Sequence, residues 1–438
     1  MVQPLLRRAL DWLTPERCWN HPTLIAGMLL AGWLVTVLVG PGLTDITGTV
    51  VGVDFLAFYT GGRFLVEGRL PEVYDFAAQT AFQWDVMAPA QTQHVQRYLN
   101  PPSAAVLYAP FAVGPYLVGL LAWWGLGFAA LGASIRGLRA ALPPLQAVPL
   151  RRLARAALIF YPTLLWIITG QASALALGIW TLTFILLRRG RDAQAGLALS
   201  LLVFKPQLAL GWVVVLLAAR RWRAIAGGAA GLAAWLGFTQ VLSPDAFPAW
   251  WAFRDVLFDF VRYQNLSSFS LYSLYEFALL ALDGVAPGLA GPLGWALTVT
   301  GMAGLALAWW RAPWTPGARA WDLRLAASLA MGLLVSVHLF AYDLMLMLLP
   351  LAVVWSHHVE GRGGRALDGG PLLLWSAAIY VSALFSGPFT QLQFEASTAL
   401  LDHRIGVQLG VLALLGWARA AWATAEAQDP GGGSARSP

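Results

Sequence analysis

Runs of about twenty mostly apolar residues, separated by short polar stretches, recur from residue 22 to residue 423. A helix rising 1.5 Å per residue needs about 20 such residues to cross the hydrocarbon core of a bilayer. The pattern predicts spans at 22–43, 114–135, 155–169, 172–187, 222–242, 288–310, 323–338, 342–356, 371–387 and 405–423. The stretch 193–219 is apolar except for Lys205-Pro206-Gln207, with Arg188, Arg189 and Arg191 before it and Arg220, Arg221 and Arg223 after it. Arginine clusters mark cytoplasmic ends. Two such ends cannot bound one crossing, so this stretch reads as two short helices meeting at a break at Lys205-Pro206. The expectation is an all-α polytopic integral membrane protein with about 12 transmembrane helices and both termini cytoplasmic.

Composition narrows the class. Of 438 residues, 58% are hydrophobic and only 11% charged, with a mean hydropathy of +0.63. A soluble chain carries about 25% charged residues, so a water-soluble globule is excluded, as are disordered and fibrous classes. The single cysteine, Cys18, excludes an intramolecular disulfide and a cysteine-based metal site. Asp11 and Glu16 interrupt the N-terminus, which does not read as a cleavable signal. The chain divides into an N-terminal cytoplasmic segment (1–21), a membrane domain (22–423) and a disordered tail (424–438).

The net charge of +6 suggests a polyanion partner until the charges are placed. In this topology the cytoplasmic segments hold 21 of the 28 basic residues and 8 of the 22 acids, and the outer side holds the other 7 and 14. That asymmetry is the positive-inside rule at work, so no nucleic-acid partner is implied. The outer loops are unequal: 44–102 and 243–287 are long, and 388–404 is shorter. Trp84, Trp250, Trp251, Phe253, Phe258 and Phe260 among their charges suit helices lying in the membrane interface. Chemistry is expected to face outward.

Six segments could carry it. Asp54, in VDFLAFYTGGRFLVEGRLPEVYD, stands beside Phe55, Leu56, Phe58 and Tyr59. Such a carboxylate reads either as a desolvated general base or as a cap on the next helix. Lys205 is the only lysine in the chain. At a proline break it reads either as a phosphate-binding ammonium or as a side chain snorkelling to the interface. His338, Tyr342 and Asp343, in SVHLFAYDLMLMLLP, form a polar group at the outer end of two spans. In a continuous helix His338 and Tyr342 share a face, so the trio is either an interhelical hydrogen-bond knot or part of a site. Gly170-Gln171, Asn100-Pro101-Pro102 and Asn265 each read singly as turns or caps. Gly227 and Gly231 have the spacing of a helix-packing face. No metal-binding motif, Walker A loop or nucleophile elbow is present.

Six of these pieces, in order, resemble glycosyltransferase family 87, the polyprenol-phosphate-mannose-dependent mannosyltransferase-like membrane proteins of the GT-C superfamily. They are DFLAFYTGGRFLVEGRLPEVYD (54–75), YLNPPSAAVLYAPFA (98–112), GQASALALG (170–178), AGLALSLLVFKPQLAL (195–210), QNLSSFSLYSL (264–274) and VHLFAYDLMLMLLP (337–350). One corner departs from the pattern, with Leu99-Asn100-Pro101-Pro102 in place of a Tyr-Pro-Pro. The resemblance implies a GT-C fold in the plasma membrane, a polyprenyl-phosphate sugar donor, a glycolipid or glycan acceptor on the outer face, and no cofactor. It implies that Asp54 is the base, that transfer inverts the anomeric carbon, and that Lys205 and His338 offset charge on the leaving phosphate. Tyr59, Gln171, Gln207, Asn265, Tyr342 and Asp343 would then order sugar or acceptor hydroxyls. A secondary transporter or lipid flippase also has broken helices and intramembrane charges, but it would show an internal repeat and few long outer loops. An inactive, lipid-binding member of the family is a third reading, against which Asp54, Lys205 and His338 stand together.

Overall fold

A computed structural model of the chain describes residues 11, 13–88, 95–256, 271–361 and 370–428. Among them the regular structure is entirely helical, with two isolated β-bridges. Helices satisfy their own backbone hydrogen bonds, which a lipid environment demands. Six helices are long and apolar enough to span a bilayer: Glu16–Val39, Tyr116–Ala141, Trp222–Leu242, Pro287–Arg311, Ala341–Val359 and Gly370–Leu401. Leu150–Leu158 and Tyr161–Thr169 make a seventh if this pair, bent by 66°, is one span. The protein is a multi-pass membrane protein.

Among the described residues, length and composition therefore carry six or seven crossings where twelve were expected. The remaining apolar runs fold as shorter helices, including Ser173–Arg188, Asp192–Phe204 and Pro206–Ala218. The break at Lys205-Pro206 lies where expected, flanked by short 3₁₀ turns at Leu201–Phe204 and Pro206–Ala209. Proline lacks the N–H that would carry a helix through this point.

Several boundaries differ from expectation. The helix expected over 323–338 stops at Leu334, and the chain re-enters helix only at Ala341. The loop expected at 388–404 is mostly helix, because Gly370–Leu401 runs on through Pro388. Helix also extends into both expected terminal segments. It begins at Pro15, capped by the Thr14 hydroxyl that accepts from Arg17 N (3.3 Å), and at the other end it continues to Ala427. In the first long loop, Val53–Val66 is not an interfacial helix, since residues 54–62 and Phe64 are all buried. The aromatic run Phe55, Phe58 and Tyr59 drives it into the core, where its rings meet Tyr108, Tyr116 and Trp123.

Charges near the arginine-rich helix ends are paired: Arg188 with Asp322 (2.7 Å) and Arg221 with Asp192. No residue along the apolar stretch of the helix Pro15–Val39 is buried. Arg155 ties it down through Thr23 Oγ1 (2.8 Å), the Trp19 carbonyl (3.3 Å) and the Trp19 ring.

Gly227 and Gly231 do pack helices together. A Cβ on Gly227 would lie 2.0 Å from the Ala193 carbonyl oxygen, and one on Gly231 would lie 2.1 Å from Ser200 Oγ. The first neighbour is backbone and cannot swing aside. Gly227→Ala is accordingly expected to lower stability by roughly 1–3 kcal/mol, the usual range for overpacking. A lowered melting temperature of the purified protein in lipid nanodiscs would show it; an unchanged one would mean that these helices can separate freely.

Candidate active site

Asp54 is the second residue of Val53–Val66. Its entry is fixed from outside, for the Tyr116 hydroxyl donates to the Val51 and Gly52 carbonyls (2.8 and 2.9 Å). The N-cap is Gly52, without a side-chain cap, so the Asp54 carboxylate is not spent on capping. It is 8% exposed and accepts a hydrogen bond from Gln96 Nε2 (2.9 Å). Burial raises this carboxyl from its ordinary 3.8 to about 6. The Lys205 ammonium and the polar side chains of Gln171 and Thr169 oppose the rise, and Asp343 adds to it.

The hairpin that brings Gln171 here depends on Gly170. Its φ of +70° closes the helix Tyr161–Thr169, and a Cβ there would press 2.9 Å from that of Phe55. Trp123 Nε1 donates to the Gly170 carbonyl (2.8 Å), locking the turn against the same aromatic cluster that seats Asp54. Gln171 then faces both the Asp54 carboxylate and the Tyr342 hydroxyl, while its Oε1 accepts from Ala172 N (3.0 Å).

Lys205 reaches the cluster from the helix break. It is buried, so the snorkelling reading fails. Its ammonium donates to Asp343 Oδ1 (2.8 Å) and lies 4.7 Å from the centroid of the Tyr342 ring. Ser173, two residues beyond Gln171, donates to the same Asp343 oxygen (2.8 Å). An ammonium has three donors, so this pair leaves Lys205 able to hold a further anionic oxygen. Asn100, expected as a turn residue, touches the break itself: its Nδ2 donates to the Phe204 carbonyl (3.1 Å).

His338 lies in the non-helical link, so the expected shared helix face with Tyr342 does not form. Tyr272 N donates to the Leu339 carbonyl (2.9 Å), and Leu271 bridges Phe340, so the end of the second long loop holds this link in place. The imidazole packs edge-on against Phe340 (4.6 Å), which stacks on Tyr342 (5.2 Å). His338 Nδ1 is buried with no hydrogen-bond partner among the described residues, although Lys205 and Asp343 act on it electrostatically.

Five expected site residues thus converge with His338: Asp54, Gln171, Lys205, Tyr342 and Asp343. Two others do not join them. Tyr59 turns away, and its hydroxyl donates to the Gly114 carbonyl (2.7 Å), which makes it an anchor of its helix. Gln207 is half-buried on the 3₁₀ turn after the break, with no hydrogen bond to the cluster among the described residues. Asn265 lies outside the described residues. Gln96, Thr169, Ser173 and Asn100 are contacts that sequence reading missed. Thr169 and Ser173 flank Gly170-Gln171, so their place could have been inferred from that turn; Gln96 carries no local signal.

A family model described as glycosyltransferase family 87 matches residues 98–337, just over half of the chain. No curated protein and no solved structure matches it.

Proposed function

From a chain that belongs to glycosyltransferase family 87 and folds as a multi-pass membrane protein, we propose a transferase that moves a hexose, mannose in our reading, from a polyprenyl phosphate to a glycolipid or envelope-glycan acceptor. The observation that carries the reading is the joining of one desolvated carboxylate, Asp54, to one buried ammonium, Lys205, in a single cluster. In this mechanism Asp54 removes the proton of the acceptor hydroxyl as that oxygen attacks the anomeric carbon. The bond from that carbon to the phosphate oxygen breaks on the opposite side, inverting the centre. Lys205 donates to the departing phosphate and offsets its growing charge, with His338 beside it. Gln171 and Tyr342, between base and ammonium, hold sugar hydroxyls. In the twelve-helix reading, the positive-inside pattern supports a plasma-membrane protein with cytoplasmic termini and a site open to the outer face.

The test supplies purified protein in lipid with labelled polyprenyl-phosphate-mannose and a glycolipid extract. Transfer of label into a new lipid product is expected. Failure to bind any polyprenyl-phosphate sugar would overturn the reading and favour transport.

A further inference from the structure

Two glutamines one turn apart on the helix Phe76–Met87 are almost completely buried, Gln79 at 0% and Gln83 at 1% exposure. Neither pairs within its own helix. Instead each grips the main chain of the irregular segment 95–99. Gln83 Oε1 accepts from Gln96 N (2.9 Å) while Gln83 Nε2 donates to the Gln96 carbonyl (2.7 Å). Gln79 repeats the grip two residues on, accepting from Tyr98 N (2.8 Å) and donating to the Tyr98 carbonyl (3.2 Å). Between them Arg97 donates to the Phe76 carbonyl and to Thr80 Oγ1 (both 2.8 Å) and lies over the Phe76 ring. Gln83 Nε2 also donates to Thr60 Oγ1 (3.0 Å), on the helix that carries Asp54. Three successive residues of a segment with no regular structure are thus pinned to one helix, and the free end of the arrangement is the Gln96 carboxamide on Asp54 Oδ1 (2.9 Å).

We propose that Gln96 is a positioning residue for the transfer reaction, held by Gln83 so that its amide fixes one oxygen of Asp54 and favours the ionised carboxylate, leaving the other oxygen to the acceptor hydroxyl. The role follows from the geometry. A carboxylate in a buried site loses the solvation that would hold it charged, and a donor whose own backbone is clamped on both polar groups restores part of that at little entropic expense. A side chain one turn earlier on the same helix could not do this, because Asp54 is the second residue of Val53–Val66, preceded there only by Val53. The inference rests on Asp54 being the base, and its test separates the two.

The variants are Gln96→Met, which keeps the backbone grip because that grip uses only main-chain atoms of residue 96, and Gln83→Met, which weakens it. The full-length protein in nanodiscs is treated with a hydrophobic carbodiimide across pH 4–9. Modification of Asp54, which requires the protonated acid, is then followed by peptide mass spectrometry. Removing a donor to the charged form moves the midpoint upward by about one unit in Gln96→Met, and the Gln83 variant moves in the same direction. Transfer by Gln96→Met then falls roughly fivefold at pH 6 and recovers by pH 8.5, whereas general structural damage would depress both. An unmoved midpoint in Gln96→Met overturns the proposal whatever the Gln83 variant does. Should the wild type transfer no sugar, the function fails while the labelling midpoint still decides the role of Gln96.

Discussion

Asp54→Asn is expected to reduce sugar transfer by a factor on the order of 10²–10⁴, the range for loss of a general base, while the protein folds at least as well as before. Asparagine has nearly the same shape and can still accept from Gln96 Nε2 through its amide oxygen. What it lacks is a basic oxygen for the acceptor proton. The stability half of the expectation comes from linkage. The buried carboxyl titrates near 6 when folded and near 3.8 when free. Its contribution to stability is therefore full below 3.8 and is lost as pH rises through 6, so at neutral pH the wild type bears the cost of holding this group ionised. The asparagine variant does not, and should melt no lower. The same titration predicts that wild-type transfer declines below about pH 6 as the base takes up its proton. A pH–rate profile and a melting curve on wild type and variant check both halves. Wild-type activity in the variant would remove Asp54 from the mechanism, and a collapsed melting temperature would make its role structural.

The ion pair of Lys205 and Asp343 gives the second large effect, with a different signature. Both side chains are buried, at 9% and 1% exposure. Removing one partner strands the other charge, which costs roughly 3–5 kcal/mol at a buried site. Lys205→Met and Asp343→Leu should each lower the melting temperature and each abolish transfer. The double variant replaces the pair by apolar groups of similar size, a change often neutral or stabilising. It should regain stability yet remain inactive, because Lys205 is needed for the phosphate and not only for Asp343. Recovery of transfer along with stability would reduce the pair to a structural link.

How far the sequence foretold this arrangement depended on what kind of signal each part carries. Long apolar runs are one-dimensional, so the major spans were legible from hydropathy alone. Lys205 stood out because it is the chain's only lysine, set in an apolar stretch beside a proline. The break was legible for the same reason. Asp54 was visible as an acid in an aromatic run, but the same run was open to being an interfacial helix. Only packing against Tyr108, Tyr116 and Trp123 decided that it is buried. The end of the helix at Leu334 had no local cause, since Val335 to Leu339 could continue it. Its end coincides with main-chain pairing to Leu271 and Tyr272, more than sixty residues away in sequence. Gln96 was invisible because nothing in QTQHVQRYLN marks one glutamine among three. Its role exists only once Gln83 holds its backbone. Tyr59 stands apart from the cluster for a simpler reason: five positions along a helix from Asp54 put it on another face.

The pairing of Lys205 with Asp343 spans 138 residues of sequence, and this imposes an order on biogenesis. While the first half of the chain is being made, the ammonium at the helix break and the Ser173 hydroxyl both lack the Asp343 oxygen that they share in the finished fold. The link of Lys205 and Ser173 through Asp343 can form only when residue 343 arrives. Synthesis of the C-terminal half is thus the step that completes this cluster.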